Sequence, residues 1–217
     1  IRFEVGQIIA YDVNHTFELG TTTVTCIKER QEYRLTIEVP DAFLQDARTA
    51  YPVVIDPTIT IRSSANSSYI EDATVFQKTP DAKAGTWTYD HAGYYSDYRG
   101  AGRILVKLPG LVGHAEYQSI TADQISSVRY YVKEATGSAA KNITAYVFNG
   151  NSWTEANATW NTVSPNSYGP ALDTVSVPAN QFVSFNITQL VKGWKNGTYN
   201  ANKGFMLKNP DETTLAN

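Results

Sequence analysis

The chain has little of what most catalytic sites are built from. One cysteine and one methionine occur in 217 residues. The lone Cys26 excludes an internal disulfide and cannot by itself form a structural zinc site. It lies in the strand-like run Thr22-Thr23-Val24-Thr25-Cys26-Ile27 and reads as a packing residue rather than a nucleophile. The three histidines, His15, His91 and His114, are far apart and match no zinc-protease spacing. There is no Gly-x-Ser-x-Gly elbow, phosphate loop or dinucleotide fingerprint. No pair of acids stands out for glycoside hydrolysis, although such pairs are assembled in space rather than in sequence.

Charge of either sign is also scarce. Charged residues make up 18% of the chain, with 18 Lys+Arg against 21 Asp+Glu and a net charge of -3. A nucleic-acid binder draws affinity from a basic excess that releases phosphate counterions. Without an excess or a basic cluster, no nucleic-acid partner is expected. No apolar run approaches the roughly 20 residues of a membrane helix, so no membrane insertion is expected. The chain opens in strand rhythm at Ile1-Arg2-Phe3-Glu4-Val5, and both ends read as cut from a longer protein that carries the targeting information.

Aromatics reach 12%, with 14 tyrosines, in a background rich in Thr, Asn, Ser and Val. This balance favours strands joined by polar loops. Residues 1–57 read as a small β-rich region. Strands are expected at Ile8-Ile9-Ala10-Tyr11, at Thr21–Ile27 and at Tyr33–Val39, where Tyr33, Leu35, Ile37 and Val39 alternate with polar residues. A helical turn is expected within Pro40–Ala47. Pro52 and Pro57 bracket a short apolar strand, and the domain boundary is placed there.

Residues 58–217 read as an antiparallel sandwich. Strands are expected at Thr58–Arg62, Ser68–Glu71, Thr86–His91, Arg103–Leu108, Ile125–Val132, Asn142–Phe148, Phe182–Ile187 and Gly204–Leu207. One helix is expected at Ile187–Lys195, where Leu190, Val191 and Trp194 share a face and Asn196-Gly197 ends it.

Four blocks carry a family resemblance. They are Tyr69-Ile70 with Gly85 and Gly93-Tyr94-Tyr95 downstream; Gly102-Arg103-Ile104-Leu105-Val106-Lys107-Leu108-Pro109; Ser152-Trp153-Thr154-Glu155 through Thr159-Trp160-Asn161 to Pro165; and Phe185-Asn186-Ile187-Thr188 through Leu190, Trp194 and Gly197 to Gly204-Phe205-Met206-Leu207-Lys208. In order and spacing, over about 150 residues, this resembles the DNRLRE-type domain of bacterial surface and secreted proteins. Asn186 and Leu108-Pro109 depart from the family pattern. So does the stop soon after Lys208, where the family adds one or two strands. A sandwich lacking its last strand is therefore expected, with an open edge. Tyr51-Pro52-Val53-Val54-Ile55-Asp56-Pro57-Thr58 resembles the junction before such domains in Rhs/YD-repeat and wall-associated proteins. Residues 1–57 would then end a preceding β-rich domain.

The resemblance implies an all-β, jelly-roll-like sandwich related to carbohydrate-binding modules and exported to the bacterial cell surface or beyond. It would be non-catalytic, with a polysaccharide or cell-wall glycan and the other domains of its polypeptide as partners. The alternative is a structural or adhesive spacer without a sugar ligand. The ligand candidates fall in one thirteen-residue run: Trp87, Tyr89, His91, Tyr94, Tyr95, Tyr98 and Arg99. Alternation in a strand would put Trp87, Tyr89 and His91 on one face. Tyr94, Tyr95 and Tyr98 would follow in a loop. Arg99 and Lys107 would suit an acidic sugar, Arg99 by bidentate pairing. Trp153 and Trp160 are weighed as stacking platform against core, and core is preferred. Calcium is the candidate structural ion, because sugar-binding jelly rolls often hold one. Glu71, Asp72 and Asp81 are its candidate ligands, with Asp211-Glu212 a second cluster.

Overall fold

The computed structural model describes residues 8–11, 16–18, 22–27, 32–37, 39–50, 54–57, 69–135 and 140–213. It divides into two compact units, residues 1–61 and 62–217. The expected strand at Thr58–Arg62 lies outside the described residues.

The first unit holds two antiparallel arrangements. Strands β1 (Ile8–Tyr11), β2 (Thr16–Glu18) and β5 (Val54–Pro57) form a sheet in the order β2-β1-β5. Strands β3 (Thr22–Ile27) and β4 (Glu32–Ile37) form a separate pair. A helical turn, α1 (Asp41–Leu44), buries Phe43. The alternating run at Glu32–Ile37 and the Thr-rich run around Cys26 are thus antiparallel partners.

The second unit is the expected all-β antiparallel sandwich. Its main sheet contains β6 (Glu71–Phe76), β7 (Gly93–Ser96), β8 (Gly100–Lys107), β10 (Lys141–Phe148), β11 (Tyr168–Val177) and β13 (Phe205–Lys208). The order is β11-β10-β13-β8-β6, with β7 also paired to β8. Strand β13 therefore has a neighbour on both sides. A second layer pairs β9 (Arg129–Lys133) with β12 (Phe182–Asn186). Between β8 and β9 lie α2 (Pro109–Val112), α3 (Ala115–Ser119) and a 3-10 turn at Ala122–Gln124. Helix α4 (Trp160–Val163) precedes β11, and α5 (Thr188–Lys195) follows β12. No helix among the described residues is long and apolar enough to cross a membrane.

Each face of the main sheet has its own apolar cover. One face presents Val106, Ala145, Val147, Phe205 and Leu207 to the second layer and to α5, which supplies the expected Leu190, Val191 and Trp194. The other presents Ala73, Val75, Leu105, Phe148 and Met206 to the 149–167 connection, through Trp153, Ala158 and Val163. Residues buried on both faces erase the period-2 signal. That is why Ala73–Phe76 escapes the sequence reading, which ended its strand at Glu71.

Two further differences have physical causes. Thr86–His91, expected as a strand, is a turn and loop. Its Thr-rich composition suits a strand, but the segment pairs its rings with Phe76 rather than its backbone with a neighbour. Strand β11 is not among the expected strands; it contains Gly169 and Pro170. Pro170 is tolerated because β11 is an edge strand, and the pairing with β10 shifts register around Tyr146.

Candidate functional site

The candidate site is built where β6, the 86–92 loop and β7 meet the start of β8. Strand β8 pairs with β6 along one side, Phe76 opposite Gly102. Along the other it pairs with β7, Gly93 opposite Gly102, and further on with β13. Gly102 has to be glycine: a Cβ there would sit 2.9 Å from the His91 carbonyl oxygen and 3.2 Å from the Phe76 ring. Gly100 has φ +67° and turns the chain from β7 into β8.

This geometry brings together five of the seven predicted ligand residues, four of them around the guanidinium of the fifth, Arg99. The Arg99 guanidinium carbon lies 4.4 Å from the Trp87 ring centroid, 4.9 Å from that of Phe76, and 5.9 Å from those of Tyr95 and Tyr98. His91 meets Tyr95 edge-on at 4.4 Å and Trp87 at 6.1 Å. Among the described residues no carboxylate forms an ion pair with Arg99. Tyr95 is 38% exposed and Tyr98 73%, so the open side of the cluster is tyrosine. Burial, and then the adjacent Arg99 charge, lower the His91 pKa. Phe76, wholly buried beneath the cluster, was missed. Its signal was the apolar stretch ending β6.

The other two candidates point elsewhere. Tyr89 lines a neighbouring cleft, which His91 also borders. Tyr94 neighbours Tyr95 in β7 and so takes the opposite face. Its hydroxyl donates to Asp97, which raises its pKa, and its ring lies 5.9 Å from Lys78 Nζ. The expected single face of Trp87, Tyr89 and His91 is corrected: Trp87 and His91 share the Arg99 cluster and Tyr89 leaves it.

Nor do the metal candidates converge. Glu71 pairs with Lys107 at 2.6 Å, and Asp81 accepts from Asn161 at 2.8 Å. The Asp72 side chain hydrogen-bonds to Asp90. Glu212, of the second cluster, holds Arg103 and Lys208. Among the described residues no three His, Cys, Asp or Glu side chains are grouped to hold a metal ion. Glu71, Asp72 and Asp81 are thus each held by a different partner.

Asp72 and Asp90 form a carboxyl pair that the sequence did not reveal, because eighteen positions of loop and strand separate them. Thr74, fully buried, donates to Asp90 at 2.7 Å and accepts from the His91 backbone N–H at 2.9 Å. Burial and the neighbouring Asp72 push the Asp90 pKa up to about 7, and burial raises that of Asp72. Hydrogen-bonded acids are closer together than the roughly 5–9.5 Å of glycosidase pairs.

Lys107, also read as a candidate for an acidic sugar, is committed internally to Glu71 and Trp153. Trp153 is buried, as preferred, and its indole Nε1 donates to the Lys203 carbonyl at 3.0 Å. Trp160 is half-buried against Arg103, whose guanidinium carbon is 4.9 Å from its ring. The two tryptophans of the Ser152–Asn161 segment thus pack on two cations four residues apart on one face of β8.

The sequence pattern of carbohydrate-binding module family 96 matches residues 108–216, just over half of the chain. The chain belongs to this family. The matched stretch contains Trp153, Trp160, α5 and β13, and begins after the 87–99 run. The chain is also 26% identical over 188 residues to the tRNA nuclease WapA of Bacillus subtilis (strain 168) and to the tRNA(Glu)-specific nuclease WapA of Bacillus subtilis subsp. natto (strain BEST195). It is 26% identical over 190 residues to the tRNA3(Ser)-specific nuclease WapA of Bacillus spizizenii. Each match covers 83% of this chain and 8% of the relative's length.

Proposed function

We propose that the second unit is a non-catalytic glycan-binding module of a large exported bacterial protein, and that the Arg99 cluster is where it meets sugar. The carrying observation is a guanidinium framed by four rings, two of them exposed tyrosines, with no carboxylate partner among the described residues. Exposed rings offer faces for the C–H side of a pyranose. A guanidinium without a carboxylate offers a bidentate partner for an acidic sugar such as a uronate. The family match supports the glycan class, and the long relatives support a place within a larger chain. The nuclease activity in the relatives' names belongs to those proteins, and we do not extend it to this unit.

The test is a glycan array that includes uronate oligosaccharides, run on the wild type and on Tyr98→Ala and Arg99→Ala. Binding lost in both variants, with unfolding midpoints unchanged, supports the reading. Uronate binding that survives both variants removes the cluster from it.

One observation favours a spacer without a sugar ligand. Tyr89, Tyr94 and the Tyr95–Tyr98 pair occupy separate surfaces rather than one concave face, and the family tryptophan segment is committed to internal packing. A folded protein that binds nothing on the array would support this reading.

A further inference from the structure

A second concavity differs in chemistry from the Arg99 cluster. It is a cleft of about 510 Å³ at one end of the sandwich, between the main sheet and β9. That volume falls within the roughly 300–1,000 Å³ of small-molecule sites. Its apolar floor includes Ile104, Ile143, Phe185 and Leu207. Tyr89, from the 86–92 loop, and Tyr131, from β9, also line it and are 55% and 65% exposed. The Asp72–Asp90 pair lines the same space, with Tyr130 beside it.

These groups define a ligand class. Two carboxyls joined by a hydrogen bond share one proton, which that bond uses, so the pair offers a ligand only acceptor oxygens. Adjacent sugar hydroxyls each carry a donor and complement such a pair. Lys133, Glu134 and Lys141 line the cleft as well and add further polar partners. A carboxylate ligand would meet the acid pair as a like charge. The acid pair itself therefore has the preference opposite to that of Arg99. Tyr89 and Tyr131 supply ring surface for the apolar side of a sugar, while the aspartates read its hydroxyls.

We propose that this cleft is a second glycan site for an uncharged sugar residue, bound through hydroxyl hydrogen bonds to Asp72 and Asp90 and through ring contact with Tyr89 and Tyr131. His91 borders both this cleft and the Arg99 cluster, but the side chains proposed to bind here are not those of the cluster, so each reading stands if the other fails. Together they would give the module two contacts of opposite charge preference along one mixed polysaccharide.

The experiment uses the full 217-residue chain on an array carrying neutral hexose and N-acetylhexosamine oligosaccharides beside uronate oligosaccharides. Tyr131→Ala and Asp90→Asn are compared with Tyr98→Ala. Tyr131 is largely exposed, so its replacement leaves folding intact, and circular dichroism checks this for each variant. Binding of a neutral oligosaccharide should weaken by about tenfold in Tyr131→Ala, the equivalent of one lost aromatic contact. It should weaken likewise in Asp90→Asn and stay within about twofold in Tyr98→Ala, because that ring lies outside the cleft. Absence of neutral-glycan binding by the wild type overturns the proposal. So does neutral binding that depends on Tyr98 and not on Tyr131, which would move all recognition to the Arg99 cluster.

Discussion

Lys107 contacts Trp153 in two ways: its Nζ lies 4.4 Å from the indole centroid and donates to the Trp153 carbonyl oxygen at 2.7 Å. The same ammonium pairs with Glu71 at 2.6 Å. One cation on β8 therefore ties the 149–167 connection to the sheet and to β6. Trp153→Ala should cost about 3–5 kcal/mol, because it opens a cavity in the second core and removes the donor to Lys203. Lys107→Met should cost less than Lys107→Ala, since the methionine stem keeps its packing against the indole. Urea unfolding of the three variants measures this. Equal losses for Lys107→Met and Lys107→Ala would show that the charge alone matters.

Arg103 makes the parallel link four residues earlier in β8. Its fork holds both Glu212 oxygens at 2.7 and 2.8 Å, and its third nitrogen donates to the Pro165 carbonyl at 2.8 Å and to Asn166 at 3.0 Å. Lysine cannot reproduce four directed hydrogen bonds. Arg103→Lys should therefore destabilise by about 3 kcal/mol, in the range for a broken buried pair. A double-mutant cycle with Glu212→Gln should show coupling above about 1 kcal/mol. Additive losses would mean that the fork contributes no pairwise energy.

How much was legible follows from which residues report on one neighbour and which on many. Asn142–Phe148, Phe182–Ile187 and the Leu190/Val191/Trp194 face announced their elements, because local periodicity and burial coincide there. Most of the aromatic candidates converged because they lie close together in one loop and strand. Trp87 and His91 were expected to share a face with Tyr89 through strand alternation. They share one with each other through a turn packed on Phe76, a contact across the sheet with no local signature. The Asp72–Asp90 pair was hidden for the same reason. Glu71 and Asp72 looked like one acidic cluster, but neighbours in a strand face opposite ways, one to Lys107 and the other to Asp90.

Gly102→Ala should disturb the Arg99 cluster more than its single methyl suggests. The added Cβ would meet the His91 carbonyl at 2.9 Å and the Phe76 ring at 3.2 Å. The 86–92 loop then has to lift away from the sheet, taking Trp87 off Arg99. A destabilisation of about 1–3 kcal/mol is expected, as for overpacking. The Trp87 fluorescence should shift toward that of an exposed indole, read in a background where the other tryptophans are unchanged. An unshifted spectrum would show that the loop absorbs the methyl without moving the ring.

The Asp72–Asp90 pair sets a pH dependence whose sign can be worked out. In the folded protein the Asp90 pKa is pushed up to about 7 from an ordinary 3.8. Between those values the native state binds more protons than the unfolded chain. Stability from this group is therefore full below the unfolded pKa and falls as pH rises toward about 7. The two acids interact strongly, so the proton belongs to the pair; Asp90→Asn should remove the slope, while Asp72→Asn should shrink it and leave the part that burial of Asp90 causes. Asp90→Asn keeps an oxygen for the Thr74 hydroxyl and an N–H for Asp72 but cannot ionise. Relative to the wild type, it should be more stable at pH 8 than at pH 5. The lowered pKa of His91 acts in the opposite sense, costing stability as pH falls through its ordinary titration range. It is common to both proteins and drops out of the difference. Melting temperatures of wild type, Asp90→Asn and Asp72→Asn at the two pH values decide the matter. Curves that run parallel with pH would show that no proton is held between the aspartates in the folded state.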